Sequence, residues 1–257
     1  MIFTHYLKRI YRDKLTTIML ILFPIAISAV MTIASNANVG ENFIHIVDGY
    51  NIFATNNFFF QVIFFQFFGA QLLTDYLYLD FRSDMRWRLK STPKSLNSYI
   101  MGAIVASFFV NMLNSAIILG VGYFVFDAHV GNLLITAGTL ALLAIFLTFV
   151  GILLFMLVPK KSTTTAIIMA FAFAQFIIVQ FTGVFNNIDI SQLGAWSFIP
   201  IGTGVAAISY LTPVIWVEEA MTNAESMRMA LTHMGILAGY AAVAGIAALI
   251  IGRKRPI

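Results

Sequence analysis

The chain has 257 residues, of which 60% are apolar and 10% charged, where a soluble domain carries roughly 25% charge. With 25 Phe, 12 Met, no Cys and a mean hydropathy of +0.89, it is no ordinary soluble globule, and disulfide frameworks, thiolate zinc sites and cysteine catalysis are excluded. The net charge of +4 points to a membrane face and not to nucleic acid, because its cations sit between long apolar runs.

Residues 1–14 predict an amphipathic helix lying in the membrane interface. Ile2, Phe3, Tyr6, Leu7, Ile10 and Tyr11 fall on one helical face, and Lys8, Arg9, Arg12 and Asp13 on the other. A first span follows from about Leu15 to Ile33, an apolar run longer than the roughly 7 to 15 residues of a signal-peptide core. The second span runs from about Ala54 to Tyr76.

Residues 82–93 form the most charged stretch, and the stretch is patterned. Phe81, Met85, Trp87 and Leu89 cluster toward one side of a helix, while Arg82, Asp84, Arg86, Arg88 and Lys90 supply its charge and Pro93 ends it. Trp87 is more than a solvated tether needs, so the segment predicts a docking helix.

Further spans are expected at about Ser98 to Phe126, Leu133 to Val158, Thr164 to Phe185 and Met229 to Ile251. Before the last of these, residues 186–228 are apolar but interrupted by Gly194, Pro200, Gly202, Gly204 and Pro213. That pattern predicts a re-entrant hairpin followed by a short surface helix, Val214 to Met221, bearing Glu218 and Glu219. The expected fold is therefore one all-α polytopic membrane domain over residues 1–257. It has six transmembrane helices, an N-terminal interfacial helix, a cytoplasmic coupling helix between spans two and three, and an extracellular re-entrant hairpin before span six. Fourteen of the fifteen cations, all but Arg228, fall on the side shared by both termini, which the positive-inside rule makes cytoplasmic.

Within the spans only Asp75 is placed at membrane depth, near the cytoplasmic end of span two. The other polar groups are Gln61, Gln66, Gln71, Asn111, Asn114, Gln175 and Gln180. Steps of five residues turn about 140 degrees and cannot put every glutamine on one cavity, so some must bond between helices. Phe64, Phe65 and Phe68, with Gln61, Gln175 and Gln180, are candidates to line a path for an amphipathic cargo. Gly235 and Gly239, one turn apart in span six, predict close helix packing. No phosphate loop, paired histidine motif or serine-hydrolase motif occurs, and the four histidines stand at no metal-ligand spacing.

These residues resemble a permease subunit of the ATP-binding-cassette type 2 exporters. The resemblance rests on the interfacial helix, on residues 82–101 (RSDMRWRLKSTPKSLNSYIM) with Thr92-Pro93 and Tyr99, and on the broken hairpin before Leu211–Ala220. The usual Gly-Thr-Glu-Arg core of that loop is here Ser83-Asp84-Met85-Arg86-Trp87-Arg88. The resemblance implies two permeases, identical or paralogous, each docking its loop helix on a separate cytosolic ATPase that holds ATP and Mg. It implies also that this chain binds no cofactor, that spans one, two and five line the path, and that the location is the bacterial plasma membrane. The expected cargo is an amphipathic drug, a lipid-like molecule or an antimicrobial peptide. A polysaccharide or teichoic-acid exporter is the alternative within the class, and a stand-alone secondary transporter or channel the alternative outside it.

Overall fold

The computed structural model describes residues 2–39, 46–47, 50–82, 96–187 and 210–254. Eight helices occur among them: α1 (Ile2–Arg12), α2 (Lys14–Val39), α3 (Ile52–Phe81), α4 (Leu96–Phe126), α5 (Leu133–Leu157), α6 (Lys161–Asn187), α7 (Pro213–Thr222) and α8 (Met227–Lys254). A small ladder departs from the all-helical expectation, with Ile46–Val47 pairing antiparallel to Tyr50–Asn51. It brings the chain into α3, whose first turn is capped by the Asn51 side chain accepting from the Ala54 N–H at 3.0 Å.

Four helices among the described residues are long and apolar enough to cross a membrane: Ala54–Phe81, Ser98–Phe126, Leu133–Leu157 and Met227–Arg253. The first and fifth expected spans are present as the helices α2 and α6, of 26 and 27 residues. In α2 the described apolar stretch, Ile21–Ala34, is itself shorter than a span. Residues 83–95, with most of the expected docking helix, and residues 188–209 of the expected re-entrant hairpin lie outside the described residues.

Helix α3 is the centre of the bundle and packs against α2, α4, α5 and α6. Its sequence is apolar on every side, with buried Phe58, Phe65, Phe67, Leu73 and Leu77, as a helix enclosed by others requires. Its glutamines follow, since a polar group at membrane depth must face protein or water. Gln66 donates to the Ser115 hydroxyl at 3.1 Å, the Ser107 hydroxyl donates to the Gly69 carbonyl at 2.9 Å, and the Asn111 amide lies where a Cβ on Gly69 would stand. The expectation that some span amides bond between helices is met here, between α3 and α4.

At the turn from α4 to α5, Asp127 and Gly131 take positive φ values of 54° and 63°. Ala224 lies so close to Gly131 that a Cβ there would come within 2.9 Å of it, so glycine is needed for both reasons. Asn132 then caps α5 by accepting from the Leu134 and Ile135 N–H groups.

Helix α8 packs along α5 through small residues, but not the two expected. A Cβ on Gly245 would come within 3.1 Å of the Phe149 ring, and Gly138 of α5 stands equally close to Met234. Around Gly235 and Gly239 nothing lies within 4 Å, so the close packing expected there is not made within the described chain. The glycine that α8 turns toward α5 is the later one, Gly245. Gly239→Leu is therefore expected to change thermal stability in detergent by no more than about 0.5 kcal/mol. Gly245→Leu, which must displace Phe149, is expected to cost about 1–3 kcal/mol, and equal melting temperatures for the two variants would contradict this packing.

Candidate functional site

Among the described residues, Arg9, Asp75, Asp80, Arg82 and Lys161 come together at the end of the bundle that holds α1. The apolar stripe on α1 packs on protein, chiefly on α4: Phe3 meets Phe109 of α4 with ring centroids 6.1 Å apart, and Tyr6, its ring 5.8 Å from that of Tyr76 of α3, is buried with Ile10 in a cluster shared by α3 and α4. Tyr11, assigned to the same face, is 82% exposed, because the α1 stripe in contact is narrower than the apolar set. Lys8 and Arg12 are exposed as expected.

Beneath α1 lies Asp80, a carboxylate only 5% exposed. An ion buried so far must be paired and hydrogen-bonded to be tolerated. Both oxygens are engaged: the Tyr6 hydroxyl donates to Oδ2, and Arg9 Nη1 donates to Oδ1 at 2.9 Å. The Arg9 guanidinium also lies 4.8 Å over the Tyr76 ring. Burial, and then the Asp80 acceptor, hold the Tyr6 phenol well above its ordinary pKa, so it remains the donor of this pair.

The other side of α3 is tied to the α5–α6 connection. Tyr78 donates to the Val158 carbonyl at 2.5 Å, with its oxygen 2.8 Å from the Thr164 hydroxyl. Arg82 donates from its two terminal nitrogens to the Val158 and Phe155 carbonyls, both at 2.6 Å. A cation on the last carbonyls of α5 satisfies groups that helix ends leave unpaired and opposes the negative end of the helix dipole. The guanidinium stacks over Tyr78 and Phe155 as well, at 5.1 and 4.9 Å. Lys161 at the start of α6 reaches Asp75 at 3.3 Å. The last two turns of α3, immediately before residues 83–95, are thus held on one side by α1 and on the other by the ends of α5 and α6.

This arrangement fixes the orientation of the end of α3. Among the described residues no group of His, Asp or Glu could hold a metal ion. Arg82, expected among the residues that face an ATPase, is bonded to its own chain. The other expected docking residues, Asp84, Met85, Arg86, Trp87, Arg88, Leu89 and Lys90, lie outside the described residues. Sequence reading missed Asp80, Tyr76, Tyr78 and Thr164. The available signal was a second acidic residue, Asp80, five positions beyond Asp75 at the end of a span and opposite a helix rich in arginine.

The path candidates form a separate group. Gln61 and Gln175 are buried, and Gln175 Oε1 has no hydrogen-bond partner among the described residues. Phe64 of α3 meets Phe173 of α6 at 5.4 Å, and Phe65 stacks on Phe68 at 5.0 Å while touching Phe23 of α2 at 6.1 Å. Rings from α2, α3 and α6 therefore meet, and Phe23 and Phe173 are 47% and 53% exposed at the margin of the group. The Gln180 side chain lies outside what is described.

At the opposite end, Pro213 starts α7 at a position where its missing N–H costs nothing. Burial, and then the neighbouring Glu219, push the Glu218 carboxyl up to about 7. Its folded state therefore binds more protons than the unfolded chain between about pH 4.5 and 7, so this group's contribution to stability falls as pH rises through that window. Glu218→Gln is expected to remove that fall and raise the melting temperature at pH 8 but not at pH 4. Parallel stability curves for the two proteins across this range would contradict the assignment.

Comparison with known proteins agrees with this architecture. Residues 44–250 match the family described as ABC-2 family transporter protein. No curated protein and no solved structure matches the chain. With its apolar spans, its central helix α3 and a match across most of its length, the chain belongs to the ABC-2 transporter family, whose members are the membrane permeases of ATP-binding-cassette transporters.

Proposed function

We propose that the chain is the permease subunit of an ATP-driven exporter that moves an amphipathic or hydrophobic molecule outward. In this reading α2 and α6 join the four long apolar helices as spans, both termini are cytoplasmic, and the protein sits in a bacterial plasma membrane. A second permease, identical or paralogous, completes the path. A separate cytosolic ATPase holds ATP and Mg, and residues 83–93 dock on it.

The observation that carries the reading is the set of ties on the last two turns of α3. A helix that continues directly into the docking segment, and is bonded on both sides to α1 and to the α5–α6 connection, can pass a displacement of that segment to three other helices without bending. The converging rings of α2, α3 and α6, with buried Gln61 and Gln175, supply apolar contact and a few polar anchors for cargo. The apolar character of that group favours an amphipathic cargo over a polysaccharide chain.

Affinity purification of the tagged protein from gently solubilised native membranes tests the proposal. A soluble ATPase is expected to accompany it in near-equal amount, and reversing Arg86 and Arg88 to Glu is expected to reduce that recovery at least tenfold. Intact, monodisperse permease recovered reproducibly alone would point instead to a stand-alone transporter or channel.

A further inference from the structure

A cavity of about 430 Å³ lies between α4 and α5, away from the ties on α3 and from the ring cluster of α2, α3 and α6. Its wall on α4 runs from Met112 through Ala116, Leu119 and Gly120 to Tyr123, and Thr136, Ala137 and Leu140 of α5 line the other side. From Met112 to Tyr123 the helix rises eleven times by about 1.5 Å, which makes a groove about 16 Å long. That is the thickness of one leaflet, about half of the roughly 30 Å hydrocarbon layer.

The groove has a polarity gradient along its length. Its deep end is lined by Met112, Ala116 and Leu140 with Ser115, whose hydroxyl is taken up by Gln66 at 3.1 Å, and its mouth, at the turn between the two helices, carries Tyr123, His129, Val130 and Gly131. His129 Nε2 lies 3.0 Å from Glu225 Oε1, so a pair of polar side chains stands beside the mouth. The groove is also open sideways. Tyr123, Phe124 and Leu133 on its rim are 46%, 82% and 72% exposed, on two helices that are themselves apolar spans, so the rim presents an apolar surface suited to lipid. Gly120 keeps the interior clear, with nothing within 4 Å of where its Cβ would be.

We infer that this groove holds one acyl chain of a phospholipid from the leaflet at the α4–α5 turn, its headgroup at the level of Tyr123 and His129. Length, the polar mouth and the lateral opening match a lipid tail that enters from the bilayer. A cavity lined in this way loses dispersion contacts if left empty, and a flexible hydrocarbon chain restores them. The inference depends on the membrane location of the chain and not on its coupling to an ATPase.

The test uses the full chain in vesicles of phosphatidylcholine doped with a phospholipid that carries a photoactivatable diazirine in one acyl chain, followed by mapping of the labelled peptides. Labelling is expected to be at least fivefold denser over residues 112–140 than over the exposed face of α8 at Leu231, Val243 and Leu249. Gly120→Leu, and independently Ala116→Leu, are expected to bring it down to the α8 level while α8 labelling stays unchanged, which also reports an intact fold. Labelling of the groove no denser than that of α8 overturns the inference, as would occur if another part of the chain or a second copy filled it. Labelling that is dense but indifferent to both substitutions overturns it as well.

Discussion

Asp80→Ala is expected to cost about 3 kcal/mol, the largest loss from any single substitution in the described chain, and to release α1 from the bundle. The substitution removes the acceptor of two hydrogen bonds at once and leaves the Arg9 guanidinium and the Tyr6 hydroxyl facing a buried site with nothing to accept from them. Breaking a buried pair is more damaging than never having had one, because the surviving partner keeps its desolvation penalty. Asp80→Asn retains a carbonyl acceptor and is expected to lose less than half as much. Hydrogen exchange along residues 2–12 separates local from global effects. Exchange in α1 is expected to rise by at least tenfold in Asp80→Ala, with α5 and α8 unchanged. Protection of α1 equal to that of the original chain would show that the apolar contacts of Tyr6 and Ile10 suffice to hold the helix.

The helices of this bundle are legible in the sequence because each apolar run is bounded by charge or by a turn signal. Asn132 before Leu133, Pro213 at the start of α7 and the basic stretch after Phe81 mark boundaries by known chemistry. What the sequence does not show is which side of a uniformly apolar helix meets which neighbour. Gly235 and Gly239 have the spacing of a packing face yet look into open space, while Gly245, four residues after the small Ala241, accommodates Phe149. A helix of this kind has almost no amphipathic contrast, so its rotation is settled by the shapes of partners far away in sequence.

The candidate site was half legible for a related reason. The amphipathic pattern of α1 correctly grouped Phe3 and Tyr6 apart from Lys8 and Arg12, but the same pattern serves a helix on lipid and a helix on protein. The distinction lies in Asp80, whose burial is a tertiary fact. Arg82 was read as the start of a docking surface because it precedes Arg86 and Arg88, and the structure turns it back onto α5. A run of like charges is uniform in sequence, whereas each guanidinium goes to whichever unsatisfied carbonyl or carboxylate it can reach.

The position of Arg82 supports the second large effect. Under the proposed export function, Arg82→Ala is expected to lower export by at least tenfold while the permease stays folded and still recovers its ATPase, because the substitution cuts the link between the end of α3 and the end of α5 without touching residues 84–90. Both of its hydrogen bonds, to the Phe155 and Val158 carbonyls, come from a charged donor, a class worth about 1.5–3 kcal/mol each when well placed. Solvent access at this exposed side chain lowers that value, so a modest fall in stability accompanies a large fall in coupling. Arg82→Lys keeps the charge but has no planar fork to span two carbonyls three residues apart, and it is expected to restore less than half of the export. The decisive comparison is export against ATP hydrolysis in the same reconstituted vesicles: hydrolysis that persists while export falls identifies Arg82 as a positioning residue within the drive train. A proportional loss of both, or a loss of ATPase recovery, would instead place it on the docking surface itself.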